Sequence, residues 1–462
     1  PASRDAVPRP AAWEACRRHL HRPMTTAQYR HHDAMLETIQ RHAFSYFVHE
    51  TNPLNGLVRD KTAQGWPCSI AAVGMALSVY PVGVARGYLS RGDALTRTLA
   101  TLRFFAGSEQ GDSPAATGNR GFYYHFLDMD TGRRAFDCEL SSIDTALLMA
   151  GVLCAAAFFN QANPREAEVR QLANVLYERV DWRWMLAGQA TVCHGWLPEK
   201  GFLQYHWHGY DEALILYMLA LGSPSHGIGP ESYAAWASTY AWQTVEGIEL
   251  LHASSLFIHQ MSHVWIDFRG LQDDFMRQHG SDYFHNSAQA TRVQQRYAMR
   301  NPHGFGGYGE FAWGITASDG PGARNPHPPG DVHSYFDYVA RGVPDGPDDG
   351  TLAPWAAAAS LPFAPGIVFP TLENYLRLQL HLENSYGFKA SFNATYPSGR
   401  THPIGWVSPF HFGINVGPIV LMIENFRSGF VWQLCRRIPV LERGLRAAGF
   451  RGGWLDGAPA SS

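Results

Sequence analysis

The chain has 462 residues, with 37 Lys and Arg against 40 Asp and Glu, a formal net charge of −3 at pH 7. That balance leaves no electrostatic footprint for nucleic acid or for an anionic membrane surface. Hydrophobic residues make up 45% of the chain, too many for a disordered protein and enough for a large core.

The longest uncharged apolar run, 145–159, falls short of the roughly 20 residues that a membrane helix needs. Fourteen Trp and 20 Tyr supply flat platforms for apolar ring faces, sugar faces included, which points to an enzyme with an aromatic-lined cleft ahead of a binding scaffold. The six Cys contain no CxxC pair, so neither a structural zinc site nor a thioredoxin-like site is expected. Cys154 lies in an apolar run and reads as a small core residue. No signal-peptide apolar stretch is legible.

Residues 1–30, rich in Pro, Arg and His, read as an N-terminal arm. A helical pattern starts near His32, with Leu36, Ile39, Phe44 and Phe47 at three- to five-residue steps. After a loop over 52–67, helices are expected from Ser69 to Val84 and over 91–105. Residues 107–139 read as an elaborate loop or hairpin, in which Phe122, Tyr124 and Phe126 alternate before an Asp-Met-Asp-Thr-Gly turn. Ser141 then caps a long buried helix to about Phe159, and 165–180 is amphipathic. A short hairpin over 195–207 precedes helices at 210–221 and 230–242. Residues 252–285 read as a loop, 286–300 as a helix and 302–350 as a long irregular excursion rich in Gly, Pro, Asp and His. Further helices are expected at 352–361, 366–383, 417–427 and 436–448.

About twelve helices in series, without βαβ alternation or a fixed repeat, predict an all-α (α/α)6 barrel with long loops and short hairpins crowding one end. Long loops in a compact domain are usually functional. The domain reading is an arm over 1–30, one catalytic barrel over 31–450 and a C-terminal tail over 451–462.

Three clusters carry possible chemistry. The first holds Asp128, Asp130, Asp137, Glu139 and Asp144 among aromatics. Carboxylates in such surroundings suit acid/base work, because burial raises one carboxyl while a neighbour keeps another ionised. Against this, Ser141-x-x-Asp144 is also a capping-box pattern, and Asp128-Met-Asp-Thr-Gly is ordinary turn composition. The second cluster runs from Gln204 to Ala213 and includes Trp207, Tyr210, Asp211 and Glu212 at the start of a helix. The helix field lowers a carboxyl by under one pKa unit, about 0.3–1 kcal/mol, whereas full burial raises it by several units. Burial therefore wins if Glu212 lies at a cleft floor.

The third cluster is His259-Gln-Met-Ser-His263-Val-Trp265-Ile-Asp267-Phe-Arg269. Its four-residue spacing permits a metal, but His-Glu-x-x-His is absent, and the residues read instead as polar groups lining a cleft or satisfied in the core. No metal and no cofactor are expected. Gly304-Phe-Gly-Gly-Tyr-Gly lacks the Lys-Ser/Thr of a P-loop, and no Gly-x-Ser-x-Gly elbow occurs.

Several blocks together resemble the bacterial glycoamylase-like proteins, related to the endo-β-1,2-glucanases of glycoside hydrolase family 144. They are Asn55-Gly-Leu-Val-Arg59-Asp60, Ser69-Ile-Ala-Ala-Val-Gly74, Gly121-Phe-Tyr-Tyr-His-Phe-Leu-Asp128, Glu139-Leu-Ser-Ser-Ile-Asp144, Gly209-Tyr-Asp-Glu212-Ala, Gln260-x-x-His263-x-Trp-Ile-Asp267-Phe-Arg269 and Ile423-Glu424-Asn-x-Arg427. The resemblance runs in order from residue 33 to 435. It implies an (α/α)6 barrel, hydrolysis of β-1,2-glucan to sophorose and related oligosaccharides, and a periplasmic or secreted bacterial setting. It also maps catalytic candidates onto Glu212, Glu139 and Asp128. The chain departs from the family at His285-Asn286-Ser287 and at Tyr386-Gly-Phe-Lys389-Ala390-Ser391.

Glycoside cleavage needs a protonated carboxyl at the leaving oxygen and a second carboxylate about 5–5.5 Å away in retaining enzymes or about 6.5–9.5 Å away in inverting ones. Glu212 is assigned the acid role and Glu139 its partner, with Asp128 or Asp144 in support. Arg59, Tyr124, Trp207, Tyr210, His263, Trp265, Asp267, Arg269 and Glu424 are expected to bind the glucan or oligosaccharide substrate. Alternatives are a transglycosylase on β-1,2-glucan, a hydrolase of another glucan linkage, and a non-catalytic glucan-binding protein.

Overall fold

The structure, a computed structural model, describes residues 25–322, 333–381, 386–396 and 402–457. Helices are the main regular structure, close to half of the described residues, and strands are confined to short antiparallel pairs and triplets. In chain order the helices are α1 (Thr26–His49), α2 (Ile70–Arg86), α3 (Arg91–Gly107), α4 (Ser142–Phe158), α5 (Pro164–Glu178), α6 (Leu214–Gly222), α7 (Pro230–Ala237), α8 (Asp274–Gln278), α9 (Tyr283–Arg300), α10 (Pro354–Ala359), α11 (Pro365–Arg377), α12 (Gly413–Arg427), α13 (Phe430–Cys435), α14 (Pro439–Ala447) and α15 (Gly453–Asp456).

Local chemistry sets where these helices begin. Side chains of Thr25, Ser69, Ser90, Ser141, Asn163 and Asp282 each accept a backbone N–H of the first turn, satisfying donors that have no partner inside the helix. At α1 the box is reciprocal, with Gln28 reaching back to the Thr25 N–H at 2.9 Å.

Burial divides the helices in two. All of α6 is buried, as is nearly every residue of α4 up to Ala155, so these helices are apolar all round. In α9 the buried residues Tyr283, Asn286, Ser287, Ala290, Gln294 and Tyr297 form one stripe. The inner elements touch in a circuit. Helix α2 lies on α4, α4 on α6, α6 on the 3-10 turn Met261–Val264, that turn on α12, and α12 on α2. Outside them, α1 packs on α12, α3 on α2 and α5, α5 on α4, α14 on α6 and α11 on α10. Where α2 meets α4 the two backbones touch. A Cβ at Gly74 would collide with the Leu147 carbonyl, and one at Gly151 with the Gly74 carbonyl.

The short strands feed straight into inner helices. Cys68–Ser69 pairs with Phe126–Leu127 and runs into α2. Leu140–Ser141 pairs with Gly195–Leu197, which pairs with Gly201–Phe202, and the first of these runs into α4. The starts of α2 and α4 are thereby pinned side by side.

Several boundaries move from those expected. Helix α1 starts at Thr26, inside the expected arm, because the Thr25–Gln28 box caps it there; the rest of the arm lies outside the described residues. Helix α7 stops at Ala237, and a turn over 238–241 replaces its expected last turn and leads into an antiparallel hairpin, Trp242–Val245 with Ile248–Leu251. The expected loop over 252–285 contains two 3-10 turns and α8. The expected helix over 436–448 is preceded by α13 and restarts at Pro439, where proline takes the first helical position. The expected tail includes the single turn α15. Among the described residues no helix is long and apolar enough to cross a membrane.

Candidate active site

A cavity of about 530 Å³ opens where the strand-to-helix junctions meet. Its wall includes Asp60, Lys61, Trp66, His125, Glu139, Asp144, His194, Trp207, Glu212, Tyr338 and Asn415. Aromatic faces and carboxyl groups are therefore brought together on one surface.

Ser69 and Ser141, the caps of α2 and α4, also line this cavity. Asp144 takes part in the capping expected from sequence: its N–H donates to Ser141 Oγ at 3.1 Å, and the Ser141 hydroxyl donates to its Oδ2 at 2.5 Å. The same carboxylate faces His125, with Nε2 3.7 Å from Oδ2. On the other side of the ring, Nδ1 is 3.0 Å from Glu139 Oε1. Burial opposes a charge on His125, but Asp144, Glu139 and Asp60 override it and push the imidazole up to about 9. Burial likewise opposes the Glu139 carboxylate, and the His125 contact outweighs it, holding that carboxyl below its usual range. His125, Glu139 and Asp144 offer ligand atoms within 4.8 Å of one another, close enough to share a cation. A protonated His125 itself supplies that positive charge.

Glu212 is in the opposite state. It sits just ahead of α6, whose N-cap is Ala213, and lines the cavity. Burial pushes its carboxyl up to about 7, with the nearby Asp144 charge adding to the effect, and no cation pairs with it among the described residues. Its neighbour Asp211 does the local structural work. Asp211 Oδ1 accepts from the Ala213 N–H at 2.9 Å and from Trp236 Nε1–H at 3.2 Å. Asp60 is a third acid of this kind. Burial raises it to about 6, against the opposing Trp66 Nε1–H bond of 3.0 Å.

Beside Asp60, Lys61 Nζ lies 3.9 Å from the Trp66 ring centroid, 4.9 Å from Phe410 and 5.2 Å from Phe412. Trp207 stacks on His194 at 3.9 Å and donates from Nε1 to Ser142 Oγ at 3.0 Å. These contacts lock both rings and leave the cavity-facing surfaces fixed.

Among the expected site residues, Glu212, Glu139, Asp144 and Trp207 meet at this cavity. The others do not line it, and each is engaged elsewhere. Asp128 closes an exposed turn, its Oδ1 accepting from the Thr131 N–H and hydroxyl at 2.8 Å each. Arg59 pairs with Glu50 at 3.0 Å and donates to the Trp66 carbonyl. Tyr124 is buried under the Arg134 guanidinium, and Tyr210 packs against Tyr240, His259 and Tyr283. His263 is held neutral by burial, with Nε2 3.0 Å from Ser287 Oγ. Trp265 donates to Ser78 Oγ at 2.9 Å inside the core. Asp267 pairs with Arg269 and Arg436. Glu424 meets both nitrogens of Arg86, at 2.6 and 2.9 Å. These contacts tie turns, loops and helices to one another.

Sequence reasoning passed over Asp60, Lys61, Trp66, His125, His194 and Tyr338. Two of them carried a signal, since Asp60 adjoins Arg59 in one quoted block and His125 lies between Tyr124 and Phe126 in another.

Known proteins resemble this chain over most of its length. An exo-β-1,2-glucooligosaccharide sophorohydrolase (non-reducing end) from Parabacteroides distasonis is 29% identical over 459 residues, covering 92% of this chain. The chain spans 58% of the length of that curated relative. A β-1,2-glucanase structure from the same organism superposes with a TM-score of 0.79 at 27% identity, over 93% of this chain and 60% of the other. An endo-β-1,2-glucanase from Chitinophaga pinensis, in complex with sophorotriose and glucose, gives 0.77 at 25% identity over 91% of this chain and 98% of its own. The profile of the Glycoamylase family matches residues 204–439, just over half of the chain and the part that contains Glu212. This protein belongs to the Glycoamylase family.

Proposed function

We propose that the protein is a glycoside hydrolase that cleaves β-1,2-linked glucan or its oligosaccharides. The observation that carries this reading is the pairing of two carboxyls in opposite states on one cavity wall. Glu212 is raised to about 7 by burial with no cation beside it, and Glu139 is kept ionised by His125. Glu212 donates its proton to the glycosidic oxygen as the bond breaks. Glu139 supplies the second carboxylate, which either takes a proton from the water that bonds to the anomeric carbon or bonds to that carbon itself before water releases the sugar. His125 holds Glu139 in place, and Asp144 balances the imidazolium. Trp207 and Trp66 offer flat faces to sugar rings. The β-1,2 linkage is supported by the substrates named for the Parabacteroides and Chitinophaga relatives.

The circuit of inner helices with its outer companions supports an (α/α)6 barrel, one catalytic domain with the cavity at the end where the junctions gather. A periplasmic or secreted setting follows from the family resemblance, and fractionation of the producing cell tests it.

The deciding experiment incubates the purified protein with linear β-1,2-glucan, β-1,3-glucan and α-1,4-glucan, with products followed by chromatography and the first anomer by NMR. Cleavage of the β-1,2 polymer, lost in Glu212→Gln, is the expected result. Products longer than the substrate would instead make the protein a transglycosylase, and no cleavage of any glucan or short oligosaccharide would overturn the reading.

A further inference from the structure

A second recess of about 460 Å³ lies elsewhere on the molecule and shares no lining residue with the cavity above. One wall is α9, where His285, Gln289, Arg292 and Arg296 follow at steps of four, three and four, a single stripe along the helix. The facing wall is the hairpin of Trp242–Val245 and Ile248–Leu251, which turns through Gly247 at φ +71°. His279 stacks on Trp242 at 4.5 Å with the rings 23° apart.

The two guanidiniums stand out for what they lack. Arg292 donates from Nη1 to Gln289 Oε1 at 2.8 Å, and Arg296 donates from Nη1 to the Glu246 carbonyl at 2.9 Å. Neither forms an ion pair with a carboxylate among the described residues. Arg300, one turn further along, pairs with Glu246. Glu249 lines the same recess and remains exposed to solvent. Burial and the Arg296 charge both work against the Arg292 cation, so the two guanidiniums act on each other at the recess. Planar guanidiniums match the oxygens of a phosphate group in pairs.

We propose that this recess binds a phosphate-class oxyanion between Arg292 and Arg296, free or borne on a sugar. The site is independent of the hydrolytic cavity, so it stands or falls apart from the reading above.

The test titrates the full chain with inorganic phosphate, glucose 6-phosphate and glucose by calorimetry at low ionic strength, with Trp242 as a nearby fluorescent reporter. Both phosphates should bind saturably, and at least about tenfold more weakly to an Arg292→Gln/Arg296→Gln protein. Should the double variant fail to fold, exposed Arg296→Gln alone should weaken binding at least about threefold while hydrolysis of neutral β-1,2-glucan stays unchanged. Tighter binding of glucose 6-phosphate than of phosphate would identify a sugar-borne ligand, and equal binding a free oxyanion; both uphold the site. Phosphate binding that is unchanged in the Arg variants, or absent at about 50 mM, would overturn it.

Discussion

Two sets of carboxyls lie below the surface of this protein, and they differ in what faces them. Glu424 meets Arg86, Asp267 meets Arg269 and Arg436, and Asp349 meets Arg341 at 2.8 Å. Among the described residues Glu212 and Asp211 meet no cation, while Asp60 meets no guanidinium but feels the charges of His125 and Lys61. The first set ties helices and loops to one another. The second set lines the cavity or sits just behind its wall. A buried carboxyl without a cation keeps its proton, because the charged form costs too much there. Stability given up at the wall thus leaves a protonated carboxyl facing the cavity, as the proposed acid role of Glu212 requires.

The largest effect should come from the unpaired set. Glu212→Gln should lower kcat on β-1,2-glucan by about 10²–10⁴-fold, the range for a general acid, while circular dichroism and melting show an intact fold. Near-normal turnover would erase the distinction between the two sets.

Breaking a pair should act on stability instead. Glu424→Ala leaves the Arg86 guanidinium without its carboxylate and should cost about 3 kcal/mol, measured by denaturant unfolding. Activity assayed well below the lowered melting point should hardly change.

Next in size is a pH effect with a defined sign. Glu212 must be protonated to act, so kcat/KM should fall as pH rises through about 7. Glu139 must be ionised, and its lowered carboxyl puts the acidic limb below the ordinary value of 4.5. The stability sign follows as well. A carboxyl raised by folding contributes its stability below the unfolded value and loses it as pH climbs through the folded one. Glu212→Gln, which cannot ionise, should therefore gain in melting temperature relative to the parent between pH 5 and pH 8.

The smallest effect should come from Asp128→Asn. Its carboxylate, held below the usual range by hydrogen bonds from Thr131, belongs to a solvent-facing turn. Stability should drop by about 1 kcal/mol or less, and turnover on β-1,2-glucan should stay within about twofold of the parent. A large loss of turnover would bring Asp128 into the chemistry after all.

The helices were legible in sequence because apolar spacing and capping residues are local. Ser141-x-x-Asp144 read equally well as a cap and as a candidate site, and in the structure it forms the cap on the cavity wall. The roles of Glu424 and Asp267 were not legible, since Arg86 lies 338 positions from Glu424 and Arg436 lies 169 from Asp267. Asp60 and His125 were missed for the same reason. Their facing depends on the ladder that joins Cys68–Ser69 to Phe126–Leu127, a pairing that no local pattern encodes. The hairpin at 242–251 was hidden by a run of helix formers just before it.

The contact of α2 with α4 through Gly74 and Gly151 bears on how this cavity could be remodelled. Both helices start at the cavity, at Ser69 and Ser141, and a few turns deeper their backbones already touch. The two cavity-lining caps are therefore held at a spacing that no side chain mediates. An engineer seeking room for a bulkier ligand can trim Ile143, Leu147 or Met261 from the lining, but cannot slide the walls apart or together. The scaffold behaves as a fixed chassis, and new specificity has to be written in the residues it carries.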